Sequence, residues 1–376
     1  MGKNILLITG ALALSIVITL FTFNSGLLIG FVGAILIFLI AAGLFYTKNL
    51  KAREAALIIV LWFIFVFMFY LYFAPGVQIA TQSGTVLSDN WFQALSWMRN
   101  NTPECSVVAT YWDPGHFITG IARRAVVFDG ASQGDLYSRP TTSSQTSLVV
   151  EQHDSNINHI VLYKDGNKTT ARIQDISTTL LTANETLAIE ILKEYRKPGC
   201  DSMYYIASAD LIGKSTWWTY FSTWNPVDKK GTPYVYTNAP QPGFSMSARP
   251  DIRQNAIIYT YPISPQDAFV LYESKNASPV VFLQQQGIAE PLKVARFIYF
   301  GNDGSVRIFT QPDSKIDGML FIDQSKSSVL FIPQQLENAL FTRMFLFNGF
   351  GLEHFEPVGP NGGNWGGEVK IFKVKF

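Results

Sequence analysis

The stretch SVVATYWDPGH at residues 106–116 decides how we interpret the fold of this chain. Residues 106–111 are apolar and β-branched, as expected of a buried strand, and Asp113-Pro114-Gly115 predicts a turn directly at the C-terminal end of that strand. A short helix at residues 116–123 and a second strand at residues 125–128 are predicted to follow. Strands that alternate with helices in this way indicate an α/β layer arrangement.

The same pattern continues on both sides of this stretch. Upstream, Ser88 or Asp89 can cap a helix whose apolar residues recur at helical spacing until Asn101-Thr102-Pro103 ends it. Downstream, the sequence predicts further strands and helices in the order strand 159–163, two helices within 173–196, strand 203–207 and a helix from Asp210 to about residue 224. We therefore predict a mixed α/β core domain over residues 76–225.

The character of the sequence changes at Asn225-Pro226. From residue 232 onward, short runs of β-branched and aromatic residues alternate with glycine, proline and asparagine. This pattern is typical of a mostly antiparallel β structure. The sequence therefore predicts a β-rich module at residues 226–376, interrupted by one helical piece at about 334–345.

Residues 1–75 differ from both of these regions. They hold a single acidic side chain, Glu54, and three apolar runs at about residues 5–23, 26–45 and 55–73. Each run is long enough to cross ~30 Å of hydrocarbon, so we predict three transmembrane helices. A cleavable signal peptide is the alternative for the first run. The predicted fold class is therefore an α+β membrane protein, with three N-terminal spans, a mixed α/β core domain and a β module.

The orientation of these spans follows from the flanking cations. Lys3 precedes the first run, and Lys48, Lys51 and Arg53 separate the second from the third. Since basic loops favour the cytoplasmic side, we expect a cytoplasmic N-terminus, contact with the lipid bilayer and a large extracytoplasmic C-terminal region. The formal net charge of +1, without a basic cluster, argues against a nucleic-acid partner.

Several other residues suggest chemistry only weakly. Cys105 and Cys200 could form a disulfide in an exported domain. His153-Asp154 and His159 could bind a metal ion, but no third ligand stands at a useful spacing. We interpret these histidines as part of a solvated loop and assign no metal ligand.

The strand end at residues 111–113 is the strongest candidate for a binding site. Ligands of open α/β sheets bind at such carboxyl ends. Tyr111, Trp112 and Asp113 would form a small pocket for a side chain with a methyl and a hydroxyl group, because rings pack the methyl and the carboxylate accepts the hydroxyl proton. The alternative is structural: Trp112 lies in the core, Asp113 caps the next helix and Pro114 is its first residue.

The segment Tyr111-Trp112-Asp113-Pro114-Gly115 resembles the Trp-Trp-Asp-Tyr-Gly motif of the oligosaccharyltransferase catalytic subunit of the archaeal and eukaryotic type. That family transfers a glycan from a dolichyl phosphate carrier to Asn of Asn-X-Ser/Thr. Residues 210–214, with Asp210 first and Lys214 last, resemble the second motif of the family. The similarity extends over roughly residues 60–376, and residues 342–372 also look like the archaeal members.

The resemblance implies roles for individual residues. Trp112 and Asp113 would hold the +2 Ser/Thr of the acceptor, Tyr111 stands where the family has its first Trp, and Lys214 and Asp210 would lie beside that pocket. Family members also bind a divalent cation, Mn²⁺ or Mg²⁺, through carboxylates in a multi-span membrane region. We find no such carboxylates here, so we assign no catalytic residue and leave open whether the chain is an enzyme.

The sequence thus predicts the part of an oligosaccharyltransferase that recognises the acceptor sequon in protein N-glycosylation. Catalysis would need a separate multi-span membrane subunit, unless the chain is a fragment of a longer coding sequence. The alternative is a non-catalytic, membrane-anchored surface or scaffold protein that kept the fold. A third option, an autonomous glycosyltransferase, requires carboxylates that the sequence does not supply.

Overall fold

The structure is a computed structural model of the chain. It describes residues 87–300 and 305–376, together with these single residues: Lys51, Glu54, Leu57, Ile58, Leu61, Tyr72, Gly76 and Val77. Residues 87–376 group into one unit, and the three sheets described below all belong to it.

The prediction of an α+β membrane protein is wrong on its membrane part. No helix among the described residues is both long and apolar enough to cross a bilayer. The longest helix of residues 87–376 has 13 residues, whereas a span needs about 20. The same finding on the helices contradicts the expectation of an integral membrane protein with an extracytoplasmic C-terminal region. The predicted spans at residues 5–23 and 26–45, and most of 55–73, lie outside the described residues.

The strands are numbered in chain order. They are β1 Val107–Ala109, β2 Ala125–Val126, β3 Leu136–Pro140, β4 Ser147–Gln152, β5 Asn158–Lys164, β6 Asn167–Ala171, β7 Met203–Ser208, β8 Thr237–Ala239, β9 Ser247–Asp251, β10 Ala256–Pro262, β11 Ala268–Ser274, β12 Val280–Gln284, β13 Leu292–Phe300, β14 Val306–Thr310, β15 Ile316–Ile322, β16 Val329–Pro333, β17 Phe355–Pro357, β18 Asn364–Trp365 and β19 Val369–Val374.

The helices of residues 87–376 are mostly short. They are α1 Asp89–Asn101, α2 Gly115–Phe117, α3 Arg172–Leu181, α4 Glu185–Lys193, α5 Asp210–Gly213, α6 Ser215–Ser222, α7 Gln334–Glu337, α8 Leu340–Phe345 and α9 Pro360–Gly363. A π-helical turn, Ile118–Ala122, continues α2. The predicted break near residues 182–184 separates α3 from α4, whereas the single helical piece predicted at about 334–345 is divided into α7 and α8.

The first sheet carries the motif at residues 111–115. Its strand order is β17-β19-β7-β1-β2, with β18 paired to β19. The strands β1, β2 and β7 are parallel, whereas β19 is antiparallel to β7. Three strands of the range predicted as a β module, β17, β18 and β19, therefore belong to the sheet of the α/β core.

Helix α1 covers one face of this sheet. Ser88 caps it as predicted, because its side chain accepts a hydrogen bond from the backbone N–H of Trp91 at 3.2 Å. Buried α1 residues such as Leu95 and Met98 pack with Val108 and Ile206 of the sheet. The largest core cluster takes in Ala109, Tyr205 and residues of α3, α4 and α8.

Two further sheets complete residues 87–376. A mostly antiparallel nine-stranded sheet has the order β8-β16-β15-β13-β12-β11-β10-β9, with β14 paired to β13. All of its strands lie within residues 226–376, the range for which the sequence predicts a β-rich module. A four-stranded antiparallel sheet, β3-β6-β5-β4, lies between β2 and α3 in the chain. Only its strand β5 is predicted by the sequence.

Candidate functional site

The parallel strands β1 and β7 bring two sequence motifs together. Asp113 follows β1 and Asp210 follows β7 within a few residues. Because β1 and β7 are adjacent and parallel, their carboxyl ends meet at one edge of the sheet, where open α/β sheets bind ligands. We call Trp112, Asp113, Asp210 and Lys214 the Asp113 cluster.

Lys214 links the two carboxylates of this cluster. Its Nζ lies 3.0 Å from Asp113 Oδ1 and 2.7 Å from Asp210 Oδ2. Burial alone would lower the pKa of Lys214, but the hydrogen bonds and charges of Asp210 and Asp113 outweigh it and raise that pKa. The ammonium group therefore stays charged and fixes both carboxylates. Asp210 is held further by Ser208, whose hydroxyl donates to Asp210 Oδ1 at 2.5 Å.

The second carboxylate oxygen of Asp113 is buried but has no hydrogen-bond partner among the described residues. Leaving a buried charged acceptor without a donor costs roughly 1–3 kcal/mol or more. Such a group gains that free energy back when a ligand supplies a hydroxyl or N–H. Asp113 Oδ2 therefore has unused capacity to accept one hydrogen bond.

Trp112 and Tyr111 differ in how much of each side chain is exposed. Tyr111 is only 2% exposed and packs edge-to-face on Phe128, with ring centroids 6.3 Å apart. Burial raises the pKa of Tyr111, so its hydroxyl stays neutral. Trp112 is partly buried against the main core and keeps part of its surface open. Trp112 and Asp113, rather than Tyr111, thus reach the surface.

The turn after β1 excludes the structural alternative for Asp113. The residue that caps α2 is Pro114, and no side chain makes a capping hydrogen bond there. Instead the N–H of Gly115 donates to the carbonyl of Trp112 at 3.1 Å and closes the turn. The Asp113 carboxylate is therefore directed to Lys214 and not to the helix.

The carboxylates of this edge do not suit a divalent cation. Asp113 and Asp210 already share the ammonium group of Lys214, and a second cation there would be repelled. Asp129, which follows β2, accepts hydrogen bonds from the backbone N–H groups of Ala131 and Ser132. These residues therefore do not fit the Mn²⁺ or Mg²⁺ that the family resemblance implies for a multi-span membrane region.

Cys105 and Cys200 form a disulfide bond in the structure. Cys105 precedes β1 and Cys200 precedes β7, so the bond joins the chain near the amino ends of the two strands whose carboxyl ends carry the Asp113 cluster. The backbone hydrogen bond from Val107 to Ser202, at 3.3 Å, lies beside it.

The interpretation of His153 and His159 as a solvated loop is wrong for His159. This residue lies in β5 and is 2% exposed, and its Nε2 is 2.6 Å from Asp175 Oδ1. Its Nδ1 faces Glu151 Oε2 at 3.3 Å. Burial acts to lower the pKa of His159, but Asp175 and Glu151 raise it to about 9. Sequence reasoning missed Glu151, although its spacing from His153 places both on one face of a strand.

In sequence, the chain is similar to proteins named dolichyl-phosphooligosaccharide-protein glycotransferase. The relative from Methanocaldococcus jannaschii is 22% identical over 316 residues, which cover 72% of this chain and 32% of the relative. The relative from Methanococcus voltae is 46% identical over 46 residues, which cover 12% of this chain and 5% of the relative. No family model matches the chain. The chain spans about a third of the length of the first relative.

A solved structure with a similar course of the chain is the C-terminal domain of PglB from C. jejuni. It covers 76% of this chain and 99% of that domain at 12% identity, with a TM-score of 0.41. A likeness of this size carries no argument about function. The sequence alignments, in contrast, confirm the family resemblance that the two motifs indicate.

Proposed function

We propose that this chain, a relative of the archaeal oligosaccharyltransferases, contains the acceptor-recognising part of such an enzyme. It would bind the Ser or Thr at position +2 of an Asn-X-Ser/Thr acceptor in protein N-glycosylation. The observation that carries the proposal is the buried Asp113 Oδ2, which has no hydrogen-bond partner among the described residues. The residue before it, Trp112, keeps part of its surface open, so a ligand hydroxyl at Asp113 could be combined with a methyl group packed on the Trp112 ring.

The chemistry of the Asp113 cluster supports a small polar ligand with an apolar part. The Trp112 ring offers a flat apolar surface to the methyl group of threonine. Asp113 Oδ2 can accept the threonine hydroxyl proton, and a hydrogen bond to a charged group contributes about 1.5–3 kcal/mol. Serine would keep the hydrogen bond and lose the methyl contact, so we expect it to bind more weakly than threonine.

Lys214 has a positioning role in this proposal. Its contacts of 3.0 Å to Asp113 and 2.7 Å to Asp210 hold Asp113 Oδ1 and leave Oδ2 to the ligand. Without the ammonium group, two carboxylates would face each other and repel. Asp210 and Lys214 would thus hold Asp113 in position without contacting the acceptor themselves.

Transfer of the glycan would need groups that the Asp113 cluster does not offer. We assign the divalent cation, Mn²⁺ or Mg²⁺, and the carboxylates that bind it to a multi-span membrane part that works with the region described here. That part would also bind the lipid-linked donor. The contacts of Lys214 with Asp113 and Asp210, which leave no room for a second cation at the sheet edge, support this division.

The test is a binding comparison between Asn-X-Thr and Asn-X-Ala peptides with the purified full chain. We expect the wild-type chain to prefer the threonine peptide, and Trp112→Ala to show a smaller preference because it loses the methyl contact and keeps the hydrogen bond to Asp113. Trp217→Ala is the matched control, because Trp217 is 60% exposed and lies on α6 outside the motif. Affinity that is independent of the +2 residue in the wild-type chain would contradict the proposal and favour a scaffold role.

A further inference from the structure

A second cluster of side chains lies in the four-stranded sheet. Glu151 of β4 and His159 of β5 are directly opposite in the antiparallel register, and His153 follows the end of β4. One ligand atom from each residue lies within 4.8 Å of the others. We propose that Glu151, His153 and His159 bind a divalent cation of the zinc type, with Asp175 as the positioning residue of His159.

The spacing of the ligand atoms supports this site. Two atoms bound to one tetrahedral Zn²⁺ at about 2.0–2.1 Å are separated by roughly 3.3 Å. His159 Nδ1 and Glu151 Oε2 are 3.3 Å apart, and His153 Nε2 is 3.9 Å from the same Glu151 oxygen. Glu151 and His159 are therefore already at the spacing of two ligands of one ion, and His153, within 4.8 Å of both, must move closer to complete a three-ligand site.

His153 carries the second observation. Its Nε2 is buried and has no hydrogen-bond partner among the described residues. This nitrogen lies within 4.8 Å of the ligand atoms of Glu151 and His159 and is not engaged by another described group. The neighbouring Asp154 is not available as a ligand, since its two oxygens accept from Thr182 Oγ1 at 2.8 Å and from the N–H of Ala183 at 2.5 Å.

Asp175 orients the His159 ring in the way that a carboxylate hydrogen-bonded to a metal-binding histidine does. A metal-binding histidine usually donates its other ring N–H to a carboxylate, which fixes the tautomer and the ring plane. Here His159 Nε2 is 2.6 Å from Asp175 Oδ1, and Nδ1 is left to the cluster. Asp175 is fully buried and also accepts from Thr170 at 2.6 Å and Tyr195 at 2.5 Å. The contact with Asp175 therefore fixes the orientation of the His159 ring.

The donor set selects the class of cation. Two imidazoles and one carboxylate suit Zn²⁺ and related transition metals, whereas Mg²⁺ and Ca²⁺ prefer oxygen ligands. The nearby cations Arg139 and Lys168 are both paired with Glu194, which reduces their repulsion of a bound metal. The site would tie β4 and β5 to α3, which carries Asp175.

The test uses the purified full chain after treatment with a chelator. We expect one equivalent of Zn²⁺ to bind in calorimetry, Co²⁺ to give the absorption bands of a tetrahedral site, and Mg²⁺ to give neither signal. His153→Ala and Glu151→Gln are the decisive variants, because these side chains are 28% and 36% exposed and their loss leaves the buried His159–Asp175 pair intact. Each should weaken Zn²⁺ binding by at least about tenfold.

His354→Ala is the matched control, since it removes a histidine outside the cluster and should bind Zn²⁺ like the wild-type chain. Zn²⁺ should also raise the melting temperature of the wild-type chain and not that of His153→Ala. No stoichiometric Zn²⁺ binding by the wild-type chain, or equal binding by wild type and both decisive variants, would overturn the proposal. Glu151, His159 and Asp175 would then be a proton-linked ion triad only.

Discussion

At the level of single residues, Asp113 is the main candidate for binding the acceptor side chain. Its two oxygens have different surroundings, because Lys214 contacts Oδ1 whereas Oδ2 has no partner among the described residues. This asymmetry could not be predicted from the sequence, since a carboxylate after a strand is equally consistent with a helix cap. The contact between Lys214 and the motif was implied by the family resemblance alone.

We predict that Asp113→Ala removes the preference for a hydroxyl at position +2. Valine has the shape of threonine without the hydroxyl group. Two peptides that differ only in Thr or Val at position +2 therefore report on this hydrogen bond. The wild-type chain should prefer the threonine peptide by roughly 10- to 100-fold, which corresponds to 1.5–3 kcal/mol, and Asp113→Ala should bind both alike. Isothermal titration measures the ratio, and Asp228→Ala, an exposed turn residue, is the control. A ratio that Asp113→Ala leaves unchanged would exclude Asp113 as the acceptor.

At the scale of elements, the turn between β1 and α2 sets the position of the motif. Gly115 packs so closely on the segment after β2 that an added Cβ would lie 2.5 Å from Asp129 Cβ and 2.9 Å from its Cα. The φ angle of Gly115 is ordinary, so the requirement for glycine is one of space. This close approach fixes the loop that presents Trp112 and Asp113.

Gly115→Ala should therefore destabilise the domain by about 1–3 kcal/mol, as overpacking of a close contact does. Gly120→Ala is the matched control, since a Cβ at Gly120 meets no atom within 4 Å. Chemical denaturation followed by circular dichroism compares the two. An equal loss of stability in both variants would contradict a steric requirement for glycine at position 115.

Strong local patterns made some elements predictable, and their absence hid others. The Ser88 cap and the apolar spacing of Trp91, Leu95 and Met98 predict α1, and burial on both faces makes β1 and β7 recognisable. Strands β3 and β6 are short and polar, with few buried residues, and their pairing is a long-range property. The Glu151–His159 cluster depends on the register of β4 and β5, so the sequence alone could not bring these residues together.

At the scale of the whole molecule, the disulfide joins distant parts of the chain. Cys105 and Cys200 are 95 residues apart in sequence, and the loop between them contains the four-stranded sheet and the motif. Reduction, or the double variant Cys105→Ala/Cys200→Ala, should lower the free energy of unfolding by about 2–4 kcal/mol. Denaturation with and without a reductant measures this difference, and the double variant should not respond to the reductant. An unchanged stability of the reduced wild-type chain would contradict this prediction.

Recognition of the residue at position +2 of the acceptor is tested by one measurement on the unmodified chain. That measurement is the ratio of the dissociation constants of the full-length wild-type chain for Asn-X-Thr and Asn-X-Ala peptides that are otherwise identical. A preference for the threonine peptide of at least about tenfold is the predicted result, because one hydrogen bond to Asp113 and one methyl contact to Trp112 are at stake. Equal affinity for the two peptides, or no binding of either, would contradict the account.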